Sequence, residues 1–234
     1  MRRLEFNFAL SRAIALFAAA AWLPGCATVA HKPMTAESSA KLAAKKVAVV
    51  NYEPADFVPF TADKAAFGLI GAAMMIQAGK DMVASYQLTD PAIAVREQLM
   101  ETISARRGTS VVVVDSAKLV SKEDVPALVA TYPGADYLLD VKTFGNQMTY
   151  YPTNWVGYRY VYSARVRVIE TATKEVMAET LCSTVQGNDA KPPSYDEMTG
   201  DQAALLKSYM REAATKCAQL VAKDLLQLQP VEPR

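Results

Sequence analysis

Two long runs of alternating side chains constrain this chain more than any other feature. Tyr137, Leu139, Val141 and Thr143 alternate with Leu138, Asp140 and Lys142. Further on, Tyr158, Tyr160, Tyr162, Ala164, Val166 and Val168 alternate with Arg159, Arg165 and Arg167. A period of two sends successive side chains to opposite faces, so both runs read as strands with one buried face. Pro152-Thr153-Asn154 between them reads as a turn. Pairing Tyr150 with Trp155 sets Val141 opposite Ala164, Leu139 opposite Val166 and Asp140 opposite Arg165. A third strand, entered with Val168 opposite Val176, turns Ala178, Thr180 and Cys182 inward and brings Glu179 beside Arg165. The expected product is an apolar face backed by an Asp140–Arg165–Glu179 charge row. A slip of one residue would mix the two.

Upstream the pattern changes. Residues 46–51 and 111–114 are short apolar runs, typical of strands buried on both faces. Asp90 as a cap, Pro91 in the first turn, Val95, Leu99 and Ile103 on one face, and Arg106-Arg107 before Gly108 describe a helix with both ends marked. Residues 62–88 also read as helix, and their middle, 65–78, carries no charge. At ~1.5 Å per residue that middle cannot span a bilayer. It is either a core helix packed through its small residues or a surface for another subunit. Ser121 with Asp124 opens a short helix to about Thr131. A last helix over 201–228 carries Leu206, Met210, Ala213, Cys217, Leu220 and Val221 on one stripe. Residues 53–60 and 187–199 read as loops. The order implies an α/β fold: a mixed sheet of parallel strand–helix–strand units, then an antiparallel meander and a C-terminal helix, with helices on both faces.

Arg2, Arg3 and Arg12 precede an uncharged run from Ala13 to Leu23. As a helix it would reach only ~16 Å, too short to cross a membrane, so residues 1–25 read as a signal peptide. The run closes with Leu23-Pro24-Gly25-Cys26, which resembles the lipobox of bacterial lipoproteins. That resemblance implies thioether lipidation of Cys26, cleavage before it, acylation of the new amino terminus and anchorage in a lipid bilayer. With Ala27 rather than Asp next, it also implies the outer membrane, facing the periplasm. Residues 26–45 read as a flexible tether of about 25 Å, and 46–234 as one α/β domain. Lipobox, tether and element order together resemble a loose group of envelope lipoproteins. The group includes the curli secretion channel, the lipoprotein activators of penicillin-binding proteins and the amino-terminal domain of the Tol-Pal translocation protein. No functional residue of those relatives is matched.

The chain carries 25 Lys+Arg against 24 Asp+Glu. Loss of residues 1–25 removes Arg2, Arg3, Arg12 and Glu5, which leaves no basic field for nucleic acid. One histidine, His31, disfavours a His-based triad or a multi-His metal site. No cofactor and no metal are expected. Ser38-Ser39-Ala40-Lys41 matches S-x-x-K without its partner motifs and is a chance match. Asn51, Glu53, Asp115 and Ser116 would lie at the carboxyl ends of parallel strands, where α/β sheets bind ligands, but strands commonly end in such residues. Asp136 and Asp140, some 13 Å apart along one strand, suit no glycosidase geometry. Cys182 and Cys217 both face inward in the register above, and an exported protein meets an oxidising compartment, so a disulfide is expected. Tyr150, Tyr151 and Trp155 flank the hairpin turn, either covered by the helix over 62–88 or forming a contact platform for protein or glycan. The expected function is a non-catalytic adaptor or regulator that binds an envelope component. The alternative is a subunit of an oligomeric secretion or assembly apparatus, a homo-oligomer, and a hydrolase comes third.

Overall fold

The alternating runs form the spine of a mixed sheet. The structure, a computed structural model, describes residues 29–112 and 119–228. Residues 1–25, Cys26, Asp115 and Ser116 lie outside the described residues. In chain order the elements are α1 (Ala36–Ala40), β1 (Lys46–Val49), β2 (Val58–Phe60), α2 (Ala62–Ala65), α3 (Gly68–Tyr86), α4 (Pro91–Arg107) and β3 (Ser110–Val112). Then come α5 (Val125–Thr131), β4 (Tyr137–Tyr151), β5 (Asn154–Glu170), β6 (Glu175–Gln186), α6 (Tyr195–Leu220) and a π-helical turn, Val221–Leu225. The sheet runs β3-β1-β4-β5-β6, parallel from β3 to β4 and antiparallel from β4 to β6. The expected fold class is the observed one.

The hairpin register departs from expectation in an instructive way. At the turn Tyr151 faces Asn154, in line with the sequence register, but Tyr150 then faces Tyr158, so Trp155, Val156 and Gly157 stand out of step. A second irregularity at Phe144 returns one residue. The net displacement is two. Val141 therefore faces Val166, Leu139 faces Val168 and Asp140 faces Arg167, not Ala164, Val166 and Arg165. Because two is the side-chain period, residues 137–143 and those opposite them keep their expected faces while their partners change. The next pair behaves alike: Val168 faces Ala178 rather than Val176, and Arg167 faces Glu179.

Two cores result. The larger lies between the sheet and the layer of α3, α4 and α6, and holds Leu139, Val141, Tyr160, Tyr162, Val166, Val95, Leu99, Leu206 and Met210. The smaller lies under α5, where Leu128 and Tyr132 meet Ala48, Val50, Leu138 and Ile169. The caps of α4 are as expected: Asp90 accepts from the Ala92 N–H, and Gly108 takes φ 63°. Asp124 alone caps α5. The final helix starts earlier than expected, at a Ser194–Glu197 capping box, and is interrupted at Gly200–Ala203 by three successive left-handed residues. On its expected inward stripe Leu220 is exposed. The region expected to be a loop over 53–60 contains β2, which pairs with β4 beyond β1, Pro59 facing Met148.

Residues from Lys32 onward are part of the fold, although 26–45 read as a flexible tether. Lys32 and Glu179 exchange backbone hydrogen bonds at 2.7 and 3.0 Å, extending the sheet past β6. Met34 and Leu42 are buried, and the buried Ser39 hydroxyl donates to the Leu226 carbonyl at 2.7 Å while accepting from Arg107 Nη2 at 2.9 Å. Two apolar anchors and a cap, Thr35, suffice to dock α1 against the π turn. Cys182 and Cys217, both buried, are joined by a disulfide between β6 and α6 with Cα atoms 5.7 Å apart.

Candidate functional site

On the sheet face that carries α5, an ion cluster is sealed beneath the loop leading into that helix. Asp140 is fully buried, its Oδ2 2.5 Å from Arg167 Nε and 3.6 Å from Arg165 Nη2. Arg165 also reaches Glu123 at 2.9 Å, and Lys142 reaches Glu123 at 3.3 Å. Arg167 donates a second bond to the Glu123 carbonyl at 2.8 Å, which fixes the start of α5 to the sheet. Burial alone would raise the Glu123 carboxyl, but Lys142 and Arg165 outweigh it and hold it below its ordinary range. The Tyr52 hydroxyl is pushed well up, by burial first and by the Asp140 carboxylate second. The sequence row was Asp140–Arg165–Glu179; in the structure Arg167 takes the central place and Glu123 is added from another element. These charges cross-brace strands and helix.

The carboxyl end of β1 opens onto a cleft of about 320 Å³ lined by Tyr52, Glu53, Asp90, Arg96, Lys142 and Thr143. It occupies the gap along β4 between β1 and β2. Asp90 dominates its polar wall, yet both its oxygens are committed: Oδ1 accepts from Ala92 N (2.9 Å) and Thr143 Oγ1 (2.6 Å), Oδ2 from Ala55 N (3.0 Å). The Asn51 backbone is likewise used, donating to Tyr132 Oη and accepting from Val120 N, both at 2.8 Å. Glu53 is exposed on the rim. Asp136 accepts from the Lys46 N–H at 2.8 Å and does not meet Asp140. His31 lies at β6, 3.0 Å from Thr180 Oγ1. Among the described residues no group of three His, Cys, Asp or Glu is arranged to hold a metal ion. Among the described residues the polar groups named above hold the walls of the cleft in place.

The hairpin tip divides the aromatic trio. Tyr150 stacks on Phe60 with ring centroids 6.1 Å apart, and Tyr151 is buried under the Arg159 guanidinium, 5.0 Å above its ring. Burial first, then Asp189, pushes the Tyr151 hydroxyl up to about 12. A contact platform built from all three is therefore corrected: only Trp155 is exposed, at 66%, joined by Val156 at 76%. Sequence reading passed over Val156, because the bulge that turns it outward has no motif. The tip is nonetheless held in shape. Trp155 Nε1 donates to the Pro152 carbonyl at 3.2 Å, Val156 N to Asn154 Oδ1 at 3.3 Å, and Tyr158 N to the Pro193 carbonyl at 2.7 Å.

The uncharged helix resolves as neither expected extreme. Only Gly71, Met75, Gly79 and Met82 of α3 are buried. A Cβ on Gly79 would overlap the Phe57 carbonyl, and one on Gly71 that of Lys64, so the helix sits tight against the chain along a narrow stripe. The rest of its apolar surface is bare, including Leu69 at 91% and Ile70 at 71% exposure.

No family model matches the chain, and no curated relative matches it. Solved structures that match the chain include a PelC dodecamer from Paraburkholderia phytofirmans. It is 10% identical with a TM-score of 0.34, over 82% of this chain and 96% of that one. They also include the hypothetical protein CT253 from Chlamydia trachomatis, 12% identical with a TM-score of 0.33 over 77% of this chain and 99% of that one. Lipoprotein GNA1162 from Neisseria meningitidis is 13% identical with a TM-score of 0.27, over 73% and 99%. Likenesses of this size assign neither a family nor an activity to this chain.

Proposed function

We propose that this chain is an envelope lipoprotein, anchored in the outer membrane through acylated Cys26, that acts without catalysis by binding another envelope component with its hairpin tip. The anchor reading rests on Leu23-Pro24-Gly25-Cys26 and the apolar run before it. The binding reading is carried by one observation: Trp155 and Val156 are exposed on a tip whose backbone is fixed by its own hydrogen bonds and by Pro193. A large rigid aromatic presented this way loses little freedom on binding.

Two measurements test the proposal. Metabolic labelling with palmitate should mark wild type and spare Cys26→Ser; an unlabelled wild type refutes the anchor. A photo-crosslinker at position 155 should trap a discrete envelope protein or glycan that one at exposed Glu212 does not. Equal, unselective trapping refutes the tip. A ring-sized mass in mild detergent would instead favour a subunit of an oligomeric apparatus.

A further inference from the structure

We infer that the exposed face of α3 is a lipid-binding surface that seats the domain on the boundary between headgroups and acyl chains of a bilayer. The face comprises Phe67, just before the helix, with Leu69, Ile70, Met74 and Ile76, exposed by 65, 91, 71, 49 and 39%. With large side chains of ~200 Å² each, these five leave roughly 600 Å² of apolar surface bare, at the upper end for a monomer. A helix apolar on all sides normally lies buried, yet α3 touches its own fold only along Gly71, Met75, Gly79 and Met82.

The chemistry of the face selects the occupant. From Ala65 to Ile76 no side chain carries an N–H, an O–H or a carbonyl. A protein interface carries about one hydrogen bond per 100–200 Å², and this surface offers none from side chains. Hydrocarbon asks for none. Lys64 and Lys80 bracket the run, each beside an acid, Asp63 and Asp81, so its ends carry no net charge and the uncharged stretch itself selects the occupant. No described helix is long and apolar enough to cross a membrane, so α3 would lie in the surface rather than through it.

The course of the amino-terminal segment agrees. Lys32 pairs antiparallel with Glu179, and His31 meets Thr180, so at Lys32 and His31 the backbone, followed toward the amino terminus, runs in the direction of Gln186, the end of the sheet at the hairpin. Phe60 leaves β2 at that same end, stacked on Tyr150, and leads into α2 and α3. Cys26 precedes His31 by five residues, a reach of at most ~18 Å. An anchor there would hold this end of the domain at the bilayer. This last argument rests on the lipid-anchor reading of Cys26; the surface chemistry of α3 does not.

The test uses the mature chain carrying Cys26→Ser, so that no acyl group contributes. It should co-sediment with vesicles of phosphatidylethanolamine and phosphatidylglycerol, and Leu69→Glu with Ile70→Glu should lower the bound fraction at least tenfold. Leu69→Gln, at the most exposed position, should lower it in part with melting unchanged, while Trp155→Ala should bind as wild type does. A wild-type protein that stays in the supernatant overturns the inference. So does a self-associated mass without vesicles that Leu69→Glu abolishes, which would make the occupant a second copy. Palmitate labelling of the unmodified protein reads the anchor separately, so either idea can fail alone.

Discussion

Arg167 and Asp140 face each other across β4 and β5, guanidinium Nε to carboxylate Oδ2 at 2.5 Å, with the carboxylate wholly shut from water. Arg165 shares the same oxygen at 3.6 Å. Such a pair contributes less net stability than its short distance implies, because two charges must first be desolvated. Breaking it is another matter.

Asp140→Asn should therefore cost about 3–5 kcal/mol, since it leaves the buried Arg167 guanidinium without its carboxylate. Asp140→Leu combined with Arg167→Met should cost less than Asp140→Asn alone. Urea unfolding of the two variants checks the order, and the reverse order would show that the ion pair itself drives stability.

Acid should loosen the same cluster through Glu123, whose carboxyl Lys142 and Arg165 hold down against the effect of burial. A depressed folded value means that the contribution is complete above the unfolded carboxylate range and is lost as pH falls through the folded value. The urea midpoint should fall as pH drops below about 4.5. Glu123→Gln should start lower at pH 7 and show a shallower acid decline, as followed by circular dichroism.

Joining residues 35 apart, the Cys182–Cys217 disulfide closes a loop worth about 4 kcal/mol in the chain-entropy model. Free-thiol titration of the unfolded, unreduced mature chain carrying Cys26→Ser should find no titratable thiol. Cys182→Ala with Cys217→Ala should lower unfolding free energy by up to that amount.

Gly79→Ala should destabilise by about 1–3 kcal/mol despite the better helix propensity of alanine, because the new methyl must displace the Phe57 carbonyl. Ala72→Ser, on the exposed side of the same helix, should stay within about 0.5 kcal/mol. Thermal melts of both separate contact from propensity.

At the hairpin, Trp155→Ala should shift the melting temperature by only about 1–2 °C. Tyr151→Ala should cost about 3 kcal/mol, as burial under Arg159 requires. Equal effects would mean that Trp155 also serves the core.

What the sequence made legible was local or periodic. Asp90, Pro91 and Gly108 mark α4 within one turn of each end, and each signal acts on its own backbone. The faces of β4, β5 and β6 followed from a period of two, which survives an even displacement. Their partners did not, because the irregularities at Phe144 and at Trp155–Gly157 shift the pairing without any motif to mark them. Residues β2 and α1 contribute were hidden for a different reason: Pro54 and Pro59 read as breakers, and Met34 and Leu42 stand singly among polar neighbours. Glu123 could not have been found at all by alternation, since it enters the charge cluster from a loop. The narrow buried stripe of α3 was equally silent, because an uncharged helix looks the same whichever side it buries.

The bridge between Lys32 and Glu179 also decides how the domain carries load. Force reaching His31 from the amino-terminal side meets its contact with Thr180 and then the two backbone hydrogen bonds of that pair, with the Lys32–Glu175 contact at 3.1 Å beside them. Only after these part does force reach Met34 and the docked α1. The lead would yield in two stages, a short bridge and then a buried clamp, while the disulfide behind β6 keeps that strand attached to α6 throughout. Tension at the terminus would thus lengthen the leash by a few residues before it disturbed the sheet.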